Sequence, residues 1–127
     1  MKNKTILITG ARGFTGHYLA KASQKVGLAV IPLQSNLNDA NAIEQEVLAA
    51  NPTFVAHLAG ISFVPSKDHE AFYRVHALGT SNLLQALTKL QSAPKKILLA
   101  SSATVYGNSA NHLSREEQAL VPVDHYS

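Results

Sequence analysis

The chain has 127 residues, of which 46% are apolar and 15% charged, with a net charge of +3; this is a globular composition and excludes a disordered chain. It contains no cysteine, which excludes disulfides and thiolate zinc sites. No apolar run approaches the roughly 18 residues of a membrane span, and the basic residues are scattered, with Lys95-Lys96 the longest run, so neither a membrane nor a nucleic-acid partner is expected and the cytoplasm is the expected compartment.

In chain order, residues 5–9 (TILIT) read as a short buried strand. The stretch TGARGFTG follows directly, with Gly10, Gly13 and Gly16 three apart. Taken alone, this spacing fits either a plain turn or a phosphate cradle. At a strand-to-helix junction, free backbone N–H groups and the positive end of the helix dipole favour an anion. Gly10 would then permit the tight turn, Gly13 a close approach, and Gly16 a helix lying near the sheet.

Phe14, Tyr18, Leu19, Ala22 and Val26 recur at helical spacing, and Gly27 is placed to end that helix. Residues 28–33 form a second strand, which ends at or before Pro32 because proline cannot donate to a ladder. Asn38 or Asp39 caps a second helix carrying Ile43, Val47 and Ala50, stopped by Asn51-Pro52. Residues 54–58 are a third strand. A long helix is predicted over 68–90, with Phe72, Val75, Gly79, Leu83, Leu87 and Leu90 along one side. Residues 97–100 are a fourth strand, and the rest is mostly loop, with a capping box at Ser114-Arg115-Glu116-Glu117.

Strands alternating with helices predict a parallel sheet built from right-handed crossovers. Such sheets rarely stop at four strands, and no helix follows the fourth. The expected fold is therefore α/β, a doubly wound parallel sheet truncated after the fourth strand.

Six stretches carry a family resemblance: TGARGFTG, NLND (36–39), HLAG (57–60), ALGTSNLLQA (77–86), SSATVYG (101–107) and the terminal HYS. In this order, and over the whole chain, they make the sequence similar to the extended short-chain dehydrogenase/reductases, the nucleotide-sugar epimerase/dehydratase family. The resemblance implies that residues 1–127 are the N-terminal part of an NAD(P)-binding Rossmann domain, with the substrate region beyond this chain. It implies that the pyrophosphate of NAD or NADP rests on the loop of Gly10, Arg12, Gly13, Phe14, Thr15 and Gly16. The adenine would meet Asn36 and Leu37, with Asn36 standing where the family has Asp and its carbonyl able to accept from the adenine amine. Leu58, Ala59 and Gly60 would line the cofactor. Residues 31–35 (IPLQS) offer no carboxylate to hold the ribose hydroxyls, and Arg12 is placed to grip a 2′-phosphate, so NADP is preferred over NAD.

For chemistry, the resemblance implies that Tyr126 is the acid/base and Ser102 the hydroxyl that orients the sugar oxygen, with Ser62 and Thr104 facing the substrate. Tyr106 belongs to the VYG element and is expected to pack structurally. The lysine that assists the family's tyrosine lies one helical turn beyond it, past the last residue here, so this chain by itself is expected to be nearly inactive. His76 stands where the family commonly has Asn; it joins the cofactor-binding set, either altering the proton relay or packing in its helix. The family's dehydratases carry an acidic pair before VYG, whereas this chain has Ala103-Thr104.

Reduction of a 4-keto nucleotide sugar is thus the leading expectation, with 4-epimerisation as the alternative. A non-catalytic NAD(P)-binding sensor is the rival of another class. The full-length protein is expected to be a homodimer through the third helix. The six histidines show no metal-site spacing, and no Gly-x-Ser-x-Gly elbow supports a hydrolase.

Overall fold

The computed structural model describes residues 4–61, 68–108 and 113–127. Strand β1 (Thr5–Thr9) is central, flanked by β2 (Ala29–Pro32) on one side and β3 (Phe54–His57) on the other, with β4 (Lys96–Leu99) beyond β3. All pairs are parallel, in the order β2-β1-β3-β4, and Leu7 pairs with both Ile31 and Val55.

Successive side chains of a strand point to opposite faces, and β1 uses both. Leu7 packs with Val55 under α2 (Ala40–Ala50) and α4 (Gly79–Thr88), against Ile43, Val47, Leu83 and Leu87. Ile6 and Ile8 pack with Ala56 on the other face, under Leu19 and Ala20 of α1 (Phe14–Lys25). The crossovers therefore leave β1 on opposite faces of the sheet, which is the doubly wound α/β arrangement expected. The strand order reverses between β1 and β3, and their carboxyl ends open a crevice there.

Several local expectations hold. Gly27 sits at φ +80° and ends α1, its N–H bonding to Gln24 and that of Leu28 to Ser23, both at 3.0 Å. Asp39, not Asn38, caps α2, its carboxylate accepting from Ala42 N–H at 3.0 Å. Pro32 is the last residue of β2, an edge strand, and Leu33 N–H makes the next bond to Ile8 at 2.9 Å.

Others are corrected. Phe14, Tyr18 and Val26 of the predicted stripe face outward, at 81%, 60% and 75% exposed. The series turned to the sheet is Gly16, Leu19, Ala20 and Ser23, whose small members let the helix lie close. The long helix is also not uniform. It runs as α3 (Glu70–Phe72), a π turn (Tyr73–Leu78) and α4, with Gly79 N–H reaching back five residues to the Arg74 carbonyl. Ser114 caps no helix. Residues 115–118 form a turn closed by Gln118 N–H on Arg115 at 3.0 Å, and the neighbouring Leu113 and Leu120 remain exposed, so no packed apolar face sustains one.

Candidate functional site

A cleft of about 610 Å³ opens at the carboxyl ends of β1, β3 and β4. It brings together Thr15, Leu58, Ala59, Gly60, His76, Ser102 and Tyr126, which the sequence reading drew from five separated segments. Ser62 lies outside the described residues.

Of the glycine loop, Thr15 lines the cleft, whereas Gly10, Arg12, Gly13, Phe14 and Gly16 lie beside it without lining it. Gly10 sits at φ +69°, and a side chain there would come within 2.9 Å of Ala59 N, so the loop and the end of β3 touch backbone to backbone. A methyl on Gly16 would fall 2.1 Å from the Gly10 carbonyl oxygen; its absence brings α1 down onto the loop. Gly13 caps α1 without a side chain, and no acidic residue occupies the first turn. The amides of Phe14, Thr15 and Gly16 have no carbonyl one turn back within the helix, so this end presents uncompensated donors.

Arg12 does reach the end of β2, where its guanidinium donates to Gln34 Oε1. The same loop holds a residue that sequence reasoning missed. Glu46, projecting from α2, accepts from Gln34 N–H at 2.7 Å, Ser35 N–H at 2.8 Å and the Ser35 hydroxyl at 2.6 Å. Partial burial pushes its carboxyl up, but the Ser35 hydroxyl and the two backbone donors outweigh that and hold it below the ordinary value. The strand end itself lacks a carboxylate, yet the fold delivers one there. The signal was available: Glu46 lies three residues after buried Ile43 and beside buried Val47.

Asn36 and Leu37 are less open than expected. Asn36 Oδ1 already accepts from Asn38 N–H at 2.9 Å, closing a turn, which leaves it one further lone pair. Leu37 packs toward Gly79, where an added Cβ would meet it at 2.8 Å, and its carbonyl is held at 2.9 Å by the Asn82 amide. Leu37 thus belongs to the core beside α4. Buried Asn82 was the second residue missed.

On the far wall, Ser102 starts a 3-10 turn (Ala103–Tyr106), and its Oγ accepts from Thr104 N–H at 3.3 Å and from the Thr104 hydroxyl at 2.9 Å. Thr104 does not line the cleft; it reaches it through Ser102. Tyr106 also lies outside the cleft lining. Tyr126 stands edge-on to Phe72 at 5.7 Å and to His76 at 5.8 Å. The His76 ring fills the space that a side chain on Gly60 would need, 2.6 Å from that position.

The floor is His57, 4% exposed and bonded to Thr9 and Thr80. Burial first, and then the charge of His76, hold it below the ordinary histidine value. Among the described residues, no three His, Asp or Glu side chains gather as a metal set, and no helix is long and apolar enough to cross a membrane.

Residues 6–127 match the NAD dependent epimerase/dehydratase family. The chain belongs to that family. Among its relatives, a GDP-6-deoxy-D-talose 4-dehydrogenase of Aggregatibacter actinomycetemcomitans is 32% identical over 96% of this chain and 43% of its own length. A UDP-glucose 4-epimerase of Mycoplasma genitalium is 28% identical over 91% of this chain and 34% of its own. A crystal structure from Burkholderia cenocepacia superimposes with a TM-score of 0.87 at 32% identity, covering 97% of this chain and 45% of that one. The chain thus spans less than half the length of these relatives.

A family member needs room and donors for a dinucleotide, and the residues present fit one. The donor-rich end of α1 carries no capping side chain, and the Ala59–Gly60 backbone edge lines the cleft between it and Ser102.

Proposed function

We propose that the protein is an NAD(P)-dependent oxidoreductase acting on a nucleotide sugar, reducing a 4-keto group, with residues 1–127 supplying the N-terminal part of its cofactor-binding domain. One observation carries the reading: Ser102 and Tyr126 line the same cleft as Thr15 and the Ala59–Gly60 edge. The amides at the start of α1 hold the diphosphate. Arg12, which extends to Gln34 beside the end of β2, grips a 2′-phosphate and favours NADP; Glu46 opposes this less than a free carboxylate would, because three donors already engage it.

The bound cofactor supplies the hydride. Both lone pairs of Ser102 Oγ accept from Thr104, so its own proton is left to donate to the sugar 4-oxygen. The Tyr126 hydroxyl gives its proton to that oxygen as the carbonyl becomes an alcohol, its ring steadied by Phe72 and His76. Because the chain spans less than half the length of its relatives, turnover is assigned to the whole protein and cofactor binding to the part described. Tyr73 and Leu78, half-exposed at 54% and 50%, are proposed to lie in a homodimer interface.

The test follows NADPH absorbance with GDP- and dTDP-linked 4-keto sugars. Tyr126→Phe is expected to lower kcat by about 10²- to 10⁴-fold, as for loss of a general acid, with cofactor affinity kept; an unchanged kcat refutes the assignment. The 28% identity to a UDP-glucose 4-epimerase favours epimerisation as the second reading. That reaction interconverts two sugars with no net NADPH consumed.

A further inference from the structure

Thr9 Oγ1 is a junction of hydrogen bonds. It accepts from Leu58 N–H at 3.1 Å and Ala59 N–H at 3.0 Å, and lies 2.6 Å from His57 Nδ1. A hydroxyl has two lone pairs and one proton. With both lone pairs taken, the proton can go only to His57 Nδ1, which must therefore be bare. The hydrogen of the neutral ring then sits on Nε2 and donates to Thr80 Oγ1 at 2.8 Å. The network admits one protonation state.

Protonation would put a second hydrogen between Thr9 and His57. Thr9 Oγ1 would then have to accept from the ring and release one of its two backbone donors. Leu58 N–H also has the Thr9 carbonyl, at 3.3 Å, so Ala59 is the group set free. That edge touches Gly10 directly, since a Cβ on Gly10 would lie 2.9 Å from Ala59 N. Releasing it disturbs both walls of the groove.

His76 behaves differently. Its Nε2 lies 3.1 Å from Ile61 N and 2.9 Å from Ile61 O. One neutral tautomer accepts from the N–H, while the other tautomer and the cation donate to the carbonyl. This contact survives protonation.

We infer that His57 is a positioning residue for cofactor binding: as the neutral Nε2–H tautomer it fixes the Leu58–Ala59 edge through Thr9, and its protonation loosens that edge and weakens the hold on the dinucleotide. The inference rests on the proposed reading that this edge takes the cofactor. The surroundings add few charges. β1 and α4 carry no ionisable residue. On β4, Lys96 pairs with Phe54 at the far end, whereas His57 pairs with Leu99. Arg74 of the π turn is tied to Asp68 and Glu70 at the surface. His76 remains, with Tyr126 beyond it; burial and the charge of His76 both act to keep His57 neutral.

The experiment measures the dissociation constant of NADH, whose diphosphate does not titrate near neutrality, from mildly alkaline to mildly acidic pH. It compares the wild type with His57→Asn, which keeps an acceptor toward Thr9 but cannot protonate, and with His76→Asn. Ring ¹⁵N shifts of His57 and amide exchange at Ala59 are recorded on the wild type in parallel, so the network is read even if a variant folds poorly. The expected results are an Nε2–H tautomer at neutral pH and an affinity loss of about tenfold as His57 protonates, as for one buried hydrogen bond. Ala59 exchange should quicken over the same range, the step should persist in His76→Asn, and the profile should be flat in His57→Asn. An Nδ1–H tautomer, a wild-type affinity indifferent to pH, or a step that survives in His57→Asn overturns the inference alone. Binding of neither NADH nor NADPH at any pH overturns the proposed function, and the inference with it.

Discussion

Gly13 and Gly16 stand one helical turn apart, yet a methyl group would meet very different things at the two positions. At Gly16 it would lie 2.1 Å from the Gly10 carbonyl oxygen and 2.7 Å from Ala11 Cα. Both are backbone atoms, and contacts to carbon are comfortable only from about 3.5 Å. Relief therefore means moving α1 or the loop by more than about 1 Å. Such overpacking costs about 1–3 kcal/mol, and an obstacle made wholly of backbone argues for the upper end. With a urea m-value of about 2 kcal/mol/M, a loss near 3 kcal/mol lowers the midpoint by about 1.5 M. At Gly13 the nearest atom is 3.2 Å away, and φ −73°, ψ 171° suits any residue, so alanine there costs less than about 1 kcal/mol. Its methyl, however, stands at the mouth of the helix where the diphosphate must come close. Urea titration with cofactor fluorescence should separate the two: Gly16→Ala is destabilised, whereas Gly13→Ala is stable and binds cofactor at least about tenfold more weakly, a change of 1.4 kcal/mol. Equal stability losses, or full affinity in Gly13→Ala, would refute the reasoning.

Three further outcomes are expected. Arg12→Ala should weaken NADPH by about 10- to 100-fold, as for one charged hydrogen bond, and NADH much less; equal losses in calorimetry remove Arg12 from the 2′ site. Glu46 has a folded-state value below 4.5, so its contribution to stability is complete above that value and is lost as pH falls through the folded one. Urea midpoints taken on acidification should fall further in the wild type than in Glu46→Gln, and parallel profiles would contradict this. Asn82→Ala leaves the half-buried Leu37 carbonyl without its donor and should cost about 1 kcal/mol in urea unfolding; an unchanged midpoint would show that the contact holds nothing.

What the sequence made legible was local. TILIT, the glycine spacing, Gly27 and the Asp39 cap are all decided within a few residues, and the structure has each where it was expected. The buried face of α1 was not legible that way. Phe14, Tyr18 and Val26 carry most of its apolar surface, but close packing selected Gly16 and Ser23. The π turn escaped because one added residue in a helix leaves no mark on composition, although it sets His76 over Gly60 and Thr80 against His57. The networks of Glu46 and His57 depend on partners brought together by the fold. Thr9 lies 48 residues from His57, and Thr80 lies 23 away. The HLAG, SSATVYG and terminal HYS motifs did lead to Ala59, Ser102 and Tyr126, which the cleft gathers. Thr104 was assigned to the substrate; its hydroxyl donates to Ser102, and the residue stands behind the cleft lining.

The most direct measurement of the central claim is a crystal structure of the protein grown with NADPH. The account predicts the diphosphate on the amides of Phe14, Thr15 and Gly16, the Ala59–Gly60 edge along the dinucleotide, and the nicotinamide facing the hydroxyls of Ser102 and Tyr126. A diphosphate bound away from that helix end, or a nicotinamide facing away from both hydroxyls, would contradict it.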